Sequence, residues 1–396
     1  MQKSHRRTGL KILHITYGFD GGGVGYVIKN YCAVEKFDGI SFDVVGEDTG
    51  KKHLLQDNLE KAGFRCFYVT PKKKNLIKNM KEIYALIKSG RYDAVHVHFE
   101  EWSFLYLLIA KLCGVKIRIC HAHMAHVPGA SVKAHYRLFR KMIKKLATHR
   151  IACSRDAGDY LYEGLPYTVL KNAIDAESFR YSEKKREEKR KELGLQDAFV
   201  CGTVGRLSYQ KDPEYTLDIL YELKKLRKNA VLVFAGKGEL EETVKKKAAA
   251  LGIEKDVYLL GHRNDIQDLM QAFDVFVLPS RFEGLGIVYV EAQAAGLHTY
   301  ASKGVVPEEA GIADDLMHYI RKEDGPAEWA AEIAKTDGKR RNTGKDIRNS
   351  GYDISTERKK LENIYNMALE RDYGKGIGNT AEKLEKANRR TADKPL

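Results

Sequence analysis

The chain has 396 residues, of which 43% are hydrophobic and 31% charged, so it is long enough for two soluble domains of ordinary size. No segment reaches the ~20 apolar residues of a membrane-spanning helix. The six cysteines include no C-x-x-C pair, so neither a zinc site nor a disulfide framework is indicated, and a cytoplasmic location is expected.

The positive charge is unevenly distributed along the chain. Its formal net charge is +14, and residues 1–170 carry 28 Lys and Arg against 15 Asp and Glu. The first half therefore holds nearly all of the excess. Such asymmetry predicts an anionic partner for that half, either a nucleic acid or a membrane surface.

Strand-like apolar runs alternate with helical patterns, which predicts an α/β protein with parallel sheets. The predicted strands fall into two sets, at 10–16, 41–45, 94–98, 117–120, 150–153 and 168–170, and then at 199–204, 230–234, 257–260 and 275–278. A charged helical stretch over 183–193 separates the sets. Two Rossmann-like domains in tandem are predicted, at 1–170 and 171–351.

The C-terminal part of the chain has a different pattern. Residues 354–368 have helical spacing, and we expect a segment at 352–372 to cross back and pack on the first domain. Residues 373–396 are polar and lysine-rich without an apolar face, so they are expected to be a disordered charged tail.

Two glycine-containing loops follow strands of the second domain. Gly205-Arg206-Leu207 and Lys211 come directly after the first strand, and Gly236-x-Gly238 closes the next. Arginine offers a planar fork to phosphate oxygens and lysine offers a compact charge, so the pair suits a diphosphate. The alternative is a solvated surface loop and a tight strand-to-helix turn.

A third loop, after the strand at 275–278, carries two carboxylates eight positions apart. Glu283 lies in the loop and Glu291 falls about two turns along the following helix. Gly284 and Gly286 let backbone amides in this stretch, which also holds Leu285 and Ile287, approach an anion at the helix N-terminus. Read alone, this segment is equally well a turn with two solvated glutamates.

Together, these loops resemble the retaining GT-B glycosyltransferases of family 4. The resemblance rests on four motifs in the family's order and spacing: Gly205-Arg206-Leu207 with Gln210-Lys211, Gly236-x-Gly238-Glu239-Leu240, Leu278-Pro279-Ser280, and Glu283-x7-Glu291. It covers the chain from about residue 11 to 369. Within the family it is most similar to bacterial capsule, exopolysaccharide and O-antigen enzymes.

The resemblance implies a GT-B fold, in which two Rossmann-like domains face each other across a cleft. It implies that the second domain binds a nucleotide sugar, with Arg206 and Lys211 on the diphosphate. Glu291 would accept hydrogen bonds from the ribose hydroxyls, and Glu283 would contact the hydroxyls of the sugar. Gly205, Gly236, Gly238 and the 284–287 amides would complete the donor site.

The expected reaction transfers a hexose or N-acetylhexosamine, with UDP as the expected nucleotide, to a lipid-linked diphosphate glycan or a polysaccharide acceptor, with retention. No D-x-D motif stands in a suitable loop and two cations already face the diphosphate. We therefore expect neither a metal ion nor another cofactor to be required.

In the first domain, Gly22 and Gly23 belong to a glycine run at a predicted helix N-terminus, where the family places donor phosphates and acceptor. The G-x-G-x-x-G fingerprint fails in both registers.

Histidines cluster at the ends of two strands. The resemblance implies that His123 orients donor and acceptor, and His98 and Glu101 are further candidates for acceptor contacts. H-x-H pairs also bind metals, but no acidic or thiol partner is suitably spaced.

Residues 132–146 form a predicted basic amphipathic helix. Its apolar stripe is Val132, Tyr136, Phe139, Met142, Ile143 and Leu146, with cations on the flanks. The helix is either a domain helix with a solvated face or a docking element for anionic lipid, extended by 72–74 and Lys78. The second reading predicts a peripheral protein on the inner face of the plasma membrane.

One segment departs from the family pattern. Of the family's glycine-rich segment, only Gly304 and Pro307-Glu308 are present here. The identity of the donor therefore cannot be inferred from the resemblance. Two alternatives remain open. A nucleotide-sugar epimerase on the same fold would isomerise the donor without an acceptor. A nucleic-acid-binding protein would explain the charge, but no helix-turn-helix or aromatic-interleaved basic motif supports it, so no nucleic-acid partner is expected.

Overall fold

The computed structural model describes residues 10–19, 23–33, 37–124 and 134–373, and they divide into two compact units. The first unit comprises the chain up to Lys171 and from Glu357 onward; the second runs from Asn172 to Thr356. Gly22, Val132, Lys133 and the predicted tail from residue 374 lie outside the described residues. None of the described helices is long and apolar enough to cross a bilayer.

The first unit is built on a parallel sheet in the order β3-β2-β1-β4-β5-β6-β7. Its described strands are β1 (Leu10–Ile15), β2 (Ile40–Glu47), β3 (Arg65–Val69), β4 (Ala94–Val97), β5 (Ile117–Ala122), β6 (His149–Ala152) and β7 (Thr168–Val169). The described helices between them are α1 (Gly23–Cys32), α2 (Gln56–Lys61), α3 (Leu76–Gly90), α4 (Ser103–Leu112), α5 (Ala134–Leu146) and α6 (Arg155–Tyr162).

The second unit has a parallel sheet in the order β10-β9-β8-β11-β12-β13. Its described strands are β8 (Phe199–Val204), β9 (Ala230–Ala235), β10 (Val257–Leu259), β11 (Val275–Leu278), β12 (His298–Ser302) and β13 (Met317–Ile320). The described helices are α7 (Ala176–Phe179), α8 (Glu183–Leu193), α9 (Pro213–Leu226), α10 (Glu241–Ala250), α11 (Ile266–Ala272), α12 (Ile287–Ala294), α13 (Pro326–Ala334) and α14 (Gly344–Asn349).

The prediction of two Rossmann-like units with parallel sheets is confirmed. Central strands such as β9 and β11 are buried along their whole length, as expected where helices cover both faces of a sheet. Three strands were not predicted, namely β3, β12 and β13. These are segments of four or five residues with polar side chains among the apolar ones, so their pattern is weak.

The last helix, α15 (Ile354–Tyr373), returns to the first unit as predicted. Its buried Tyr365 lies near the rings of Phe37 and Phe42, at centroid distances of 6.3 and 6.0 Å. The Tyr365 hydroxyl is 2.9 Å from Nδ1 of His96 on β4. The C-terminal helix therefore contributes a polar contact to the core of the first sheet.

Each sheet changes winding direction between two neighbouring strands. In the first unit the chain winds outward from β1 to β3 and then from β4 to β7, so the change falls between β1 and β4. In the second it falls between β8 and β11. Open α/β sheets bind ligands beyond the carboxyl ends of the strands at such a point. Every loop singled out in the sequence follows one of these strands or an adjacent one.

Candidate functional site

The loops after β8 and β9 touch each other backbone to backbone. A Cβ atom on Gly236 would lie 1.9 Å from the carbonyl oxygen of Gly205, and one on Gly238 would lie 2.1 Å from that of Leu207. No side chain fits at such distances, so both positions require glycine. The amides of Gly205 and Leu207 also donate to Ala235 and Lys237 carbonyls, at 3.0 and 3.2 Å. The two loops therefore form one rigid edge.

Lys211, from the loop after β8, forms an ion pair with Glu283, from the loop after β11. The Glu283 side chain is only 5% exposed and that of Lys211 is 18% exposed. The same Glu283 oxygen accepts a hydrogen bond from the Ser280 hydroxyl at 2.7 Å. Lys211, which is predicted to bind the diphosphate, and Glu283, which is predicted to bind the sugar, thus form an ion pair with each other. The pair lies at the winding change between β8 and β11.

Arg206 lies on the same edge but is exposed. Its Nε is 3.1 Å from a carboxylate oxygen of Glu239, in the loop after β9. Both side chains are more than half exposed, so the pair contributes little to stability. The guanidinium can therefore turn to an incoming anion at small energetic cost.

Asp212 is buried and joins three loops. Its carboxylate forms ion pairs with Arg281 at 2.8 Å and with Lys322, which follows β13. Its backbone is left-handed, with φ of 49°, just before α9. The backbone also links these loops, because the amide of Arg281 donates to the Gln210 carbonyl at 2.8 Å. These contacts on both sides of Lys211 fix the position of its backbone.

The segment between the two glutamates opens α12. Gly286 has φ of 71° and precedes the first helical residue, Ile287. Gly284 is surrounded by open space, because a Cβ atom there would have none of the described atoms within 4 Å beyond its chain neighbours. Tyr289 anchors the start of α12, because its hydroxyl donates to the Leu278 carbonyl at 2.8 Å. Glu291 lies on α12 and is half-buried.

In the first unit, five histidines gather at the winding change between β1 and β4. We call this group the histidine cluster: His14, His96, His98, His121 and His123. Successive rings contact through their nitrogens, at 3.1 Å between His14 and His98, 2.8 Å between His98 and His123, and 3.3 Å between His96 and His121. Burial lowers the pKa of His14 and of His123 to about 3. Burial likewise holds the pKa of the other three well below the ordinary value. The cluster is therefore neutral at physiological pH.

Two successive carboxyl groups follow β4, and one of them contacts the cluster. Glu100 accepts a hydrogen bond from the backbone amide of His123 at 3.1 Å, and its own backbone is left-handed with φ of 48°. Burial raises the pKa of Glu100 to about 8. The Glu101 carboxylate instead accepts a hydrogen bond from the hydroxyl of Tyr160. Gly23, from the glycine run, is the first residue of α1.

Two family profiles match most of the chain between them. Glycosyltransferase Family 4 matches residues 21–178, and Glycosyl transferases group 1 matches residues 185–345. The chain is 33% identical over 283 residues to UDP-Gal:alpha-D-GlcNAc-diphosphoundecaprenol alpha-1,3-galactosyltransferase of Escherichia coli, covering 66% of this chain and 70% of that enzyme. The chain belongs to the family 4 GT-B glycosyltransferases.

Two further relatives cover nearly all of this glycosyltransferase. EpsF of Bacillus subtilis (strain 168) is 29% identical over 383 residues, or 92% of this chain and 98% of that one. The structure of Anabaena Alr3699/HepE in complex with UDP-glucose superposes with a TM-score of 0.73 at 18% identity, covering 90% of this chain and 100% of that one. At that identity the likeness shows the fold.

The donor residues predicted from the sequence of this glycosyltransferase lie along one edge of the second sheet. They occupy the loops after β8, β9 and β11 and the start of α12. Among the described acceptor candidates, His98 is buried, whereas Gly23 is exposed. His98 is only 2% exposed, and both of its ring nitrogens contact other histidines.

The place of His14 beside His96 and the burial of the Glu100 and Asp212 carboxyl groups were not predicted from the sequence of this glycosyltransferase. His121 belonged to the predicted histidine group but had no assigned role. The histidines carry a signal in retrospect, because each lies near the end of a strand that is next to β4. The register pairs His14 with His96 across β1 and β4, and such pairing is not visible before the strand order is known. No sequence signal distinguishes Glu100 and Asp212 from solvent-exposed acidic residues.

The histidine cluster makes the folded state sensitive to acid. An unfolded histidine binds a proton near pH 6.5, whereas those in the cluster stay neutral far below that, so stability is lost as pH falls below 6.5. When the pH falls from 7.5 to 5.5, each buried imidazole lowers the free energy of unfolding by ~1.4 kcal/mol. Glu100 opposes this by roughly 2–3 kcal/mol, because its folded-state pKa is raised and its protonation therefore favours folding. We predict a net loss on the order of 4 kcal/mol for five imidazoles and one carboxyl.

Urea denaturation of the whole protein at the two pH values, followed for the transition of the first unit, measures this loss. His14→Phe removes one imidazole and should reduce the difference by ~1.4 kcal/mol. His262→Phe, at an exposed histidine of the second unit, is the matched control and should leave the difference unchanged. Equal stability at pH 7.5 and 5.5 would contradict a neutral cluster.

Proposed function

We propose that this glycosyltransferase moves a hexose or N-acetylhexosamine from a UDP-sugar to a lipid-linked diphosphate glycan, with retention and without a metal ion. The observation that carries the proposal is the Lys211–Glu283 ion pair beside the contacting glycine loops. The pair brings a cation for a diphosphate and an acceptor for sugar hydroxyls to one point on the sheet edge.

The relatives support this choice of substrates. The Escherichia coli relative is named for UDP-Gal as donor and for an α-D-GlcNAc-diphosphoundecaprenol as acceptor. It is also named for the alpha-1,3 linkage, and UDP-hexoses carry their sugar in the α configuration, so an alpha product corresponds to retention. The Anabaena structure holds UDP-glucose.

The donor diphosphate would compete with Glu283 for Lys211. A diphosphate carries more negative charge than one carboxylate, so Lys211 and Arg206 turn to it as the donor binds. The freed Glu283 carboxylate then accepts hydrogen bonds from the sugar, and Glu291 accepts those of the ribose. Binding of the donor thus replaces the Lys211–Glu283 ion pair with contacts to the diphosphate, the sugar and the ribose.

Transfer would proceed on the face from which the diphosphate leaves. The bond from the anomeric carbon to the phosphate oxygen breaks, and the acceptor oxygen forms the new bond on the same face. The acceptor's proton passes to the departing phosphate oxygen. Lys211 and Arg206 stabilise the negative charge that develops there, which is the role a metal ion plays elsewhere.

Transfer assays with Lys211 variants test the proposal. Lys211→Ala should lower kcat/KM at least ~100-fold, because it removes a cation aimed at the developing charge. It should also lower the melting temperature, because it leaves the Glu283 carboxylate buried without its cation. Adding Glu283→Gln to Lys211→Ala should restore the melting temperature but not the turnover. Lys246→Ala, at an exposed lysine of the same unit, is the control.

The assay uses a UDP-sugar panel, a polyprenyl-diphosphate glycan and excess chelator. We expect an alpha-linked product at an undiminished rate in chelator. Restoration of a lost rate by Mg²⁺ or Mn²⁺ would contradict metal independence, and near-normal turnover of Lys211→Ala would contradict the donor site. An isomerised sugar formed without acceptor would favour an epimerase.

A lipid-linked acceptor lies at a membrane, and α5 offers a cationic face. Arg137, Lys141 and Lys145 are exposed at four-residue intervals, with the exposed Leu138 beside them. The opposite side of α5 packs inward through Ile143 and Leu146, so most of the predicted apolar stripe belongs to the unit's own core. The proposed contact with an anionic surface is therefore mainly electrostatic.

Part of the predicted basic patch is not available to lipid. The Lys72 side chain is 8% exposed, lies over the Tyr17 ring and pairs with Glu47. Arg140 and Lys144 pair with Glu163. Lys73, Lys74 and Lys78 are exposed and remain candidates.

Flotation with vesicles that contain anionic lipid tests the proposed docking of α5. Charge reversal of Arg137, Lys141 and Lys145 to Glu should weaken vesicle binding ~100-fold, since each cation near the surface contributes about 1 kcal/mol. Reversal of Lys191, Lys228 and Lys246 in the second unit changes the net charge equally and should have little effect. Equal binding by both triple variants would contradict docking through α5.

A further inference from the structure

The nitrogen contacts of the histidine cluster form two separate chains. One runs from the Cys32 thiol to Nε2 of His14 at 3.9 Å, from Nδ1 of His14 to Nε2 of His98, and from Nδ1 of His98 to Nε2 of His123. The other runs from the Tyr365 hydroxyl to Nδ1 of His96, and from Nε2 of His96 to Nδ1 of His121. Each histidine uses a different ring nitrogen for each of its links.

A neutral imidazole has one N–H donor and one bare nitrogen acceptor, so each chain has a direction. Once the first link is set, the position of every later proton follows. The first group of each chain is a thiol or a phenol. Burial raises the pKa of Cys32 and of Tyr365 far above neutral, so both keep their protons.

The thiol sets the direction of the first chain. A thiol sulfur is a weak acceptor, so Cys32 donates to Nε2 of His14. His14 must then carry its proton on Nδ1 and donate it to His98, which in turn donates from Nδ1 to Nε2 of His123. His123 is left with its proton on Nδ1. The Tyr365 hydroxyl can donate or accept, so it does not set the direction of the second chain.

The ends of both chains lack partners. His123 Nδ1 and His121 Nε2 are both buried, and neither has a hydrogen-bond partner among the described residues. Leaving a buried donor unmet costs about 1–3 kcal/mol. Such an arrangement suits a ligand oxygen that accepts the hydrogen bond when it arrives.

We propose that His98, His14 and Cys32 are positioning residues that fix His123 as the Nδ1–H tautomer, so that His123 donates a hydrogen bond to a substrate oxygen. The inference rests on the proposed function, in which His123 contacts the reacting substrates. A bare Nδ1 would be the form required of a proton acceptor. The chain therefore makes His123 a donor and leaves proton removal to the departing phosphate.

One short contact argues against a metal ion shared by His98, His121 and His123. Two triads of the cluster bring ring nitrogens within 4.8 Å of one another, and both include His98. Ligands ~2.0–2.1 Å from a tetrahedral ion lie about 3.3 Å apart. The 2.8 Å between His98 and His123 is too short for that and is typical of an N–H···N hydrogen bond.

The tautomer is measurable without any activity. Two-bond ¹H–¹⁵N correlation spectra of deuterated protein with ¹⁵N-labelled histidine report which nitrogen of each ring carries the proton. His123→Gln assigns the His123 signals by their loss. At pH 7.5 we expect His123, His98 and His14 to be protonated on Nδ1 alone. A proton on Nε2 of His123, or on both nitrogens, overturns the proposal, whatever the outcome of the transfer assays.

Substitutions at the far end of the chain separate positioning from packing. Cys32→Ser keeps a donor and should retain the wild-type tautomer and rate. Cys32→Ala removes the donor, so His123 should become a mixture of tautomers and kcat should fall about fivefold with the donor KM unchanged, as expected for losing one hydrogen bond. Identical spectra for the two variants would overturn the role of Cys32.

His98→Phe provides a second test if Cys32→Ala does not fold. Phenylalanine keeps a flat ring in the stack but cannot pass on a proton, so His123 should lose its fixed tautomer and kcat should fall more than in Cys32→Ala. His318→Phe is the matched control, because His318 belongs to a stacked histidine pair of the second unit. Its Nε2 lies 2.9 Å from Nδ1 of His298. Retention of the Nδ1–H form in His98→Phe would overturn the proposal.

Discussion

The ion pair between Lys211 and Glu283 joins the two halves of the second sheet. β8 and β11 lie on either side of the winding change, and the pair connects the loops that follow them. It is mostly buried, and a buried charge without its partner is strongly unfavourable. The ligands of the proposed donor are therefore held in place before the donor arrives, and the donor must offer an equivalent charge to separate them.

The remaining features of that edge keep the pair in position. The glycine loops contact each other so closely that only hydrogen fits at Gly236 and Gly238. Asp212, next to Lys211, forms ion pairs with Arg281 in the loop that carries Glu283 and with Lys322, which follows β13. The first unit uses a different device at its own winding change, namely neutral imidazoles linked in chains. One sheet presents paired charges and the other presents directed hydrogen bonds, which suits a charged donor and a hydroxyl-bearing acceptor.

The sequence predicted the positions of the longer strands along the chain and the glycine-containing loops that follow three of them, because glycine, strand and helix signals are local. It did not predict that Lys211 and Glu283, 72 residues apart, would bind each other. It also missed His14, because the pairing of β1 with β4 is a long-range register. Short strands such as β13, with polar residues among the apolar ones, carried too little pattern. What the sequence could not supply was contact between loops distant along the chain.

Calorimetric titration of UDP into the wild-type protein and into Glu283→Gln tests the competition for Lys211 most directly. Glutamine keeps the shape of the side chain but removes the charge that competes with the diphosphate. The account predicts that Glu283→Gln binds UDP more tightly, by about tenfold for a change of ~1.4 kcal/mol, while losing the added affinity of a UDP-sugar. UDP affinity that is unchanged or weaker in Glu283→Gln would contradict it.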